Sequence, residues 1–148
     1  MDHERKVLVV DDNEINCEIL HELLDGLFAV RTAVTGQESL DVAEAYQPRV
    51  ILLDVTLPDM DGYAVCRTLR SDARFAEVRI VMISARAMSH EREAGLDAGA
   101  DYYITKPFDE LDVLRLVSEA FETPTEDRDN VPQLIGSAGQ FVEPRKLP

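Results

Sequence analysis

Apolar and polar residues follow two patterns along the first 122 positions. Short unbroken apolar runs are typical of strands that are buried on both faces of a parallel sheet. Between them, apolar residues recur at three- and four-residue spacing, which predicts amphipathic helices. The run at 28–32 is shorter and alternating, so we expect it at a sheet edge. The five predicted strands are residues 7–10, 28–32, 50–54, 80–83 and 102–105.

Each predicted strand is followed by a predicted helix. The first helix can be capped by Asp12 or Asn13, and the second begins with a capping box at Thr35 and Glu38. This alternation predicts an α/β fold, a five-stranded parallel sheet with helices on both faces. The other helices are predicted at 62–70, 89–98 and 110–122. The residues predicted to face inward include Ile15, Ile19, Leu20, Leu23 and Leu24 in the first helix, Leu40, Ala43 and Ala45 in the second, and Leu111, Leu114, Val117 and Phe121 in the last.

The character of the chain changes after residue 122. Four of the seven prolines fall in this last segment, and its apolar residues show no sustained periodicity. We therefore predict a domain at 1–122 and a flexible C-terminal tail at 123–148.

Composition and charge narrow the functional classes. With 148 residues, 45% of them hydrophobic, the chain can form one domain with its own core. A net charge of −14 argues against direct nucleic-acid binding and against binding to an anionic membrane surface. The sequence contains no apolar run of ~20 residues and no signal-peptide pattern at its start. Cys17 and Cys66 form no CxxC motif, which favours a reducing compartment, and we expect the cytoplasm.

Polar residues that can carry chemistry stand at the ends of four predicted strands. Because the carboxyl ends of parallel strands share one edge, we expect these side chains to converge. Clustered carboxylates stay ionised only beside a cation, and their oxygens suit Mg²⁺, for which Mn²⁺ can substitute. A lysine and a hydroxyl beside them suit a phosphoryl group, and a carboxylate can form an aspartyl-phosphate. The residues are Asp11 and Asp12, Asp54, Ser84 and Lys106, with Asp54 as the predicted nucleophile.

Each of these residues has an ordinary interpretation when it is taken alone. Asp11 or Asp12 can be a helix cap, Ser84 a loop hydroxyl and Lys106 a surface lysine. Their joint placement at successive strand ends favours a phosphoryl site over these separate roles.

Several motifs together resemble the CheY-like receiver domain, the phosphoacceptor module of two-component response regulators. The resemblance covers about residues 5–122 and implies a flavodoxin-like doubly wound sheet with strand order 2-1-3-4-5. The motifs are Val9-Val10-Asp11-Asp12, Leu53-Asp54, Leu57-Pro58-Asp59-Met60-Asp61-Gly62, Ser84-Ala85, Gly99-Ala100-Asp101-Tyr102-Tyr103 and Lys106-Pro107-Phe108.

The resemblance also implies roles for individual residues. Asp54 is the expected phosphoacceptor, and Mg²⁺ is expected on Asp12, Asp54 and the Thr56 backbone carbonyl, with Asp11 acting largely through water. Ser84 and Lys106 are expected to hold the phosphoryl group, and Tyr103 matches the aromatic switch. The remaining implications are a cis bond before Pro107 and a tuning of phosphoryl lifetime by Thr56 and Arg86.

The implied phosphodonor is a histidine kinase or a histidine phosphotransfer protein. The Asn-Glu-Ile-Asn sequence at 13–16 resembles receivers of hybrid kinases and phosphorelays. The expected readout surface comprises the fourth helix, the fifth strand and the fifth helix. The downstream protein target stays open, as does the choice between a monomer and a phosphorylation-dependent dimer.

Three alternatives to a phosphorylated signalling module have less support in the sequence. A haloacid-dehalogenase-like phosphohydrolase needs a second Asp where this chain has Thr56. A flavodoxin-like nucleotide binder lacks support because neither GxGxxG nor GxxxxGK[ST] occurs. A degenerate receiver that only binds partners is disfavoured by the complete set of site residues. We therefore expect a module that catalyses only its own phosphorylation and dephosphorylation, and not an enzyme with a separate substrate.

Overall fold

Five parallel strands form the centre of the molecule in a computed structural model that describes residues 5–86, 88–122, 134–135 and 141–144. The strands are β1 (Lys6–Val10), β2 (Ala29–Ala33), β3 (Val50–Asp54), β4 (Arg79–Ser84) and β5 (Tyr102–Thr105). Their spatial order, β2-β1-β3-β4-β5, confirms the predicted doubly wound topology. Strand β3 is buried along its whole length, as an unbroken apolar run predicts.

In the described part of the chain, five α-helices connect and follow these strands, and side chains cap four of them. Asn13, rather than Asp12, caps the first, because its side chain accepts from the backbone N–H groups of Ile15 and Asn16. Among the described helices, none has the length and apolar character needed to cross a bilayer. The helices are α1 (Glu14–Leu24), α2 (Gly36–Tyr46), α3 (Gly62–Arg70), α4 (Ser89–Ala98) and α5 (Glu110–Glu122), with a short 3₁₀ helix at Ala73–Phe75.

The helices form two layers, one on each face of the sheet. Alternate residues of β1 illustrate the division, since Val7 and Val9 pack with α1 and α5, whereas Leu8 and Val10 pack with α2, α3 and α4. Each face therefore has its own apolar core, and the strand ends are left as the place where polar side chains can meet.

Four residues that were predicted to face inward are exposed. Ile15 and Leu111 keep 67% and 65% of their surface accessible, and Ile19 and Ala45 are also exposed. In α1 the buried residues are Cys17, Leu20 and Leu24, so the inward stripe is narrower than the apolar pattern suggested. In α5 the stripe is shifted toward Val113, Leu116, Val117 and Ala120.

A buried charged network lies at the amino ends of β4 and β5. The Arg70 guanidinium donates to the Asp101 carboxylate at 2.7 Å and to the backbone carbonyls of Phe75, Val78 and Gly99. Arg79 lies on the other side, with Nη1 3.8 Å from Asp101 Oδ1. Asp101 also accepts from the Ile80 N–H at 2.9 Å. This network, which we call the amino-edge cluster (Arg70, Arg79, Asp101), ties the end of α3 to two strands.

Two short strands extend the sheet beyond β5. Strand β7 (Phe141–Pro144) runs antiparallel to β5, and β6 (Leu134–Ile135) pairs with β7. No strands were predicted here, because the apolar residues, Leu134-Ile135 and Phe141-Val142, form isolated pairs with no sustained run or alternation. The predicted tail at 123–148 lies mostly outside the described residues, and its flexibility stays a prediction.

Candidate functional site at the carboxyl edge of the sheet

The register of the sheet delivers the predicted site residues to one edge. Val10 is paired with Leu53, and Asp54 with Ile83, so the residues that follow β1 meet the end of β3. Ser84 is paired with Thr105, and the Lys106 N–H donates to the Ser84 carbonyl at 2.7 Å. The register therefore brings Asp11 beside Asp54, and Lys106 beside Ser84, at the carboxyl edge.

Three carboxylates and one ammonium group meet at this edge, and we call them the carboxyl-edge cluster (Asp11, Asp12, Asp54, Lys106). One oxygen from each of the three Asp residues lies within 4.8 Å of the others. Lys106 Nζ lies 3.1 Å from Asp11 Oδ2 and 3.0 Å from Asp54 Oδ2. Asp11 and Asp54 are buried, whereas Asp12 is exposed. Protein therefore surrounds Asp11 and Asp54, whereas solvent can reach the cluster at Asp12.

The charges in this cluster are incompletely balanced. Burial raises the pKa of Asp54, although the bonds from Lys106 and from the Thr56 N–H oppose that rise. Burial lowers the pKa of Lys106, but its bonds to Asp54 and Asp11 outweigh this effect, and its pKa is raised. Lys106 therefore stays charged, and one ammonium group cannot neutralise three carboxylates. A second cation would remove the remaining repulsion.

The donor set fits a small divalent ion. Convergent carboxylate oxygens that are partly open to water are the ligands that Mg²⁺ prefers in proteins. The cavity beneath Asp11, Asp54 and Lys106 has a volume of only about 10 Å³, roughly one water molecule. A flavin ring has no room there.

The start of α1 fixes the orientation of Asp11. Its Oδ1 accepts from the Asn13 N–H at 2.9 Å, and its Oδ2 accepts from the Asn16 side-chain amide at 3.3 Å. Sequence reasoning noted Asn16 only as part of a family motif and missed this contact. The spacing could have indicated this contact, because Asn16 lies one helical turn beyond the cap at Asn13 and so faces the same side of the helix.

Below Asp11, the Cys17 thiol lies 3.2 Å from the Asp11 carbonyl. Burial, and then the Asp11 charge, raise the pKa of Cys17 to about 11. Cys17 is therefore a neutral packing residue at ordinary pH.

The loop after β3 is attached to α2. Asp59 accepts from the backbone N–H groups of Gly36 and Gln37 at 2.7 and 2.9 Å. These two bonds, that from Gln37 first, lower the pKa of Asp59. The Thr56 N–H donates to Asp54 Oδ1 at 3.1 Å at the start of the same loop. Sequence reasoning missed the role of Asp59, since its partners are 22 and 23 residues away and no local pattern marks them.

Ser84, Arg86 and Tyr103 form a second group beside the carboxyl-edge cluster. Ser84 Oγ accepts from the Arg86 N–H at 3.0 Å, and the Tyr103 hydroxyl donates to the Arg86 carbonyl at 2.8 Å. Ser84 and Tyr103 are fully buried. The Arg86 side chain points elsewhere, with Nε 3.7 Å from the Glu91 carboxylate of α4. The Lys106–Pro107 bond is cis, the isomer that the family resemblance implies.

Comparisons with known proteins agree with this geometry. The family model for the response regulator receiver domain matches residues 7–118. Response regulator PleD of Caulobacter vibrioides is 39% identical over 107 residues, which cover 72% of this chain and 24% of PleD. The transcriptional regulator RpaA of Synechocystis sp. is 35% identical over 113 residues, 76% of this chain and 47% of RpaA.

Among solved structures, the chemotaxis response regulator CheY4 of Vibrio cholerae superposes with a TM-score of 0.73 at 27% identity. The match covers 78% of this chain and 97% of CheY4. By contrast, the chain matches only about a quarter to a half of the length of the curated relatives named above.

Proposed function

The chain belongs to the response regulator receiver domain family, and we propose that its Asp54 accepts a phosphoryl group from a phosphohistidine. The observation that carries this proposal is the bridge formed by Lys106 Nζ between Asp11 and Asp54, at 3.1 and 3.0 Å, beside a third carboxylate. This arrangement places a buried carboxylate nucleophile next to a fixed positive charge. The excess negative charge of the three carboxylates favours the binding of a cation beside them.

In the proposed reaction, an Asp54 carboxylate oxygen attacks phosphorus and the P–N bond of the phosphohistidine breaks. The imidazole leaves with the bonding electron pair, and Asp54 becomes an acyl phosphate. Asp12, Asp54 and the Thr56 carbonyl would hold Mg²⁺, with Asp11 acting largely through water. The bound ion would neutralise negative charge on the carboxylates and on the phosphoryl oxygens. Lys106 would pair with the phosphoryl group once Asp54 is esterified.

Ser84 and Tyr103 supply a switch in this proposal. Ser84 would move to donate to the phosphoryl group, which requires it to give up its bond from the Arg86 N–H. Tyr103, whose ring already lies inward in this structure, would be stabilised there by the space that Ser84 leaves behind. Both arrangements pre-exist, and phosphorylation changes their populations. Thr56 and Arg86 flank this site and would influence how long the acyl phosphate persists.

Exposed apolar residues beside the site suit a helical phosphodonor. Ile15 lies in the first turn of α1, just after Asp11 and Asp12, and Leu111 lies in the first turn of α5, just after Lys106. Both side chains are about two-thirds exposed. An apolar rim next to an acidic centre matches the docking of an amphipathic helix from a histidine kinase or a phosphotransfer protein.

The alternatives find less support in the geometry. Thr56 is exposed and its hydroxyl cannot replace the acid/base carboxylate of a phosphohydrolase. The small cavity beneath the cluster is unsuited to a flavin. We therefore favour a signalling module that is itself the phosphorylated product, and not an enzyme that turns over a separate substrate.

The test is phosphorylation by acetyl phosphate, read on a phosphate-affinity gel with Mg²⁺ or with EDTA. We expect a shifted band that needs Mg²⁺ and that disappears in Asp54→Asn. The matched control is Asp41→Asn, which neutralises an exposed carboxylate on α2 and should keep the band. Undiminished labelling of Asp54→Asn would overturn the assignment. So would a wild-type protein that binds Mg²⁺ by calorimetry but never becomes labelled.

A further inference from the structure

The Tyr103 ring occupies the space that a side chain at position 95 would need. A Cβ atom built on Gly95 of α4 would lie 2.7 Å from Cδ2 and 2.9 Å from Cε2 of Tyr103, and 2.9 Å from the Met82 sulfur. The sheet register pairs Met82 with Tyr103, so both side chains project toward α4. Carbon atoms pack at about 3.5–4.0 Å, so a methyl group at 95 and the ring cannot share this space.

The ring is fixed in this inward position from its other end. Tyr103 is fully buried, and its hydroxyl donates to the Arg86 carbonyl at 2.8 Å. The backbone N–H of Arg86 donates to Ser84 Oγ at 3.0 Å. If the ring were displaced, its hydroxyl would lose the bond to the Arg86 carbonyl. Because the Arg86 N–H is bonded to Ser84, Arg86 links the position of the ring to Ser84.

Helix α4 gains nothing in local stability from this glycine. Glycine inside a helix is less favourable than alanine. The N-cap residue, Met88, makes no side-chain bond to the start of the helix. An alanine at 95 would therefore favour α4 as an isolated helix while excluding the ring, so helix propensity and steric exclusion act in opposite directions.

We propose that Gly95 is a positioning residue that admits the inward Tyr103 ring and thereby sets the balance between the inward and outward states of this side chain. In Gly95→Ala, the ring must turn outward or α4 must move away from the sheet. The effect of Gly95 on the ring can be measured in the unphosphorylated protein, without any phosphorylation step. The consequence for phosphorylation rests on the function proposed above.

The first test follows the ring directly in the unphosphorylated protein. Incorporation of 3-fluorotyrosine labels four tyrosines, and Tyr103→Phe identifies the resonance of Tyr103 by its loss from the ¹⁹F NMR spectrum. We expect Gly95→Ala to shift that resonance toward the solvent-exposed position and to increase its response to a soluble paramagnetic probe. The control is Ala94→Gly, which changes helix propensity at the exposed neighbouring position and should leave the resonance in place. An unchanged Tyr103 resonance in Gly95→Ala would overturn the proposal.

A second-site variant keeps the test decisive if the single variant folds poorly. Tyr103→Leu removes the ring, so Gly95→Ala should be tolerated in that background, as read by circular dichroism and thermal unfolding. If Gly95→Ala fails to fold and the double variant folds, the conflict between the ring and the methyl group is established. If both fail, the conflict lies elsewhere and the proposal is wrong.

The second test measures the rate of phosphorylation by acetyl phosphate with Mg²⁺. We expect Gly95→Ala to slow labelling by about fivefold or more, and to have no effect when Tyr103 is already Leu. Equal rates in wild type and Gly95→Ala, despite a shifted resonance, would refute the link to the switch. Absence of labelling in the wild type would count against the proposed function, while the ¹⁹F result would still decide the role of Gly95.

Discussion

The sheet carries buried charge at both of its ends, and the two clusters are balanced in opposite ways. The amino-edge cluster places one carboxylate, Asp101, between the two guanidinium groups of Arg70 and Arg79. The carboxyl-edge cluster places one ammonium group, that of Lys106, against three carboxylates. Each cluster joins elements that are far apart in sequence, so both could in principle stabilise the fold.

The surroundings of the charges separate the two. Backbone carbonyls of Phe75, Val78 and Gly99 accept from Arg70, so the protein itself solvates this guanidinium. At the other edge, Asp12 is exposed, and burial raises the pKa of Asp54 despite the opposing bonds from Lys106 and the Thr56 N–H. The positive charge that the protein supplies there does not offset the cost of burial. Buried charge that the protein satisfies is structural, whereas buried charge that it leaves unsatisfied is suited to binding a ligand.

The largest effect is expected at the amino-edge cluster. Asp101→Asn keeps the shape of the side chain but leaves two guanidinium groups without a carboxylate. Removal of one partner from a buried ion pair typically lowers the free energy of unfolding by about 3–5 kcal/mol. Urea denaturation should show this loss, and the same loss should appear with Mg²⁺ and with EDTA.

The control for this prediction is Asp97→Asn, an exposed carboxylate on α4 for which we expect a change within about 0.5 kcal/mol. A loss below about 1 kcal/mol in Asp101→Asn would show that the amino-edge cluster is not what holds α3 to the sheet.

A smaller effect on stability, recoverable by metal, is expected at the carboxyl-edge cluster. Lys106→Met removes the ammonium group that Asp11 and Asp54 share, and in EDTA we expect a loss of about 1–3 kcal/mol in the free energy of unfolding. Saturating Mg²⁺ should reduce the difference from wild type, because the ion can replace the lost positive charge. Phosphorylation by acetyl phosphate should still fall about 100-fold, since the ion does not replace the donor to the phosphoryl group.

The two clusters would not differ in their need for a bound cation if Mg²⁺ left the stability difference between Lys106→Met and wild type unchanged. The same conclusion would follow if Mg²⁺ restored the stability of Asp101→Asn.

The smallest effect is a dependence of stability on pH. Burial raises the pKa of Asp54 above its ordinary value of 3.8, so the native state holds this proton more tightly than the unfolded chain does. The stabilising contribution of this proton is therefore fully present below that value and is lost as the pH rises through the raised native pKa. In EDTA, the free energy of unfolding of wild type should fall relative to Asp54→Asn as the pH rises from about 4.

Urea denaturation of both proteins across this range measures the difference directly. Mg²⁺ should weaken the trend by favouring the ionised carboxylate. A difference between the two proteins that stays constant with pH would contradict the stated direction of the Asp54 pKa.

Local sequence patterns were sufficient to predict most of the helices and strands. The apolar run of β3 predicted a strand buried on both faces, and the capping residue Thr35 marked the start of α2 correctly. Such signals lie within a few residues and follow from backbone hydrogen bonding and burial. The errors concern which side of a helix is buried. Ile15 and Leu111 fit an apolar period, but their neighbours in the tertiary structure leave them in solvent.

The gathering of Asp11, Asp12, Asp54 and Lys106 was also predictable from the sequence, because carboxyl ends of parallel strands must share an edge whatever the details of packing. The contacts around this site were not. Asp59 binds the start of α2 across 23 residues, Arg70 reaches Asp101 across 31, and the space at Gly95 is decided by a ring on another element. The sequence by itself determined where the strands lie along the chain and the chemistry at their ends, since both follow from local pattern, while the spatial order of the strands was implied by the family resemblance. Only the tertiary structure decided which charges are satisfied and which are left for a ligand, because that balance depends on side chains and carbonyls brought together from distant parts of the chain.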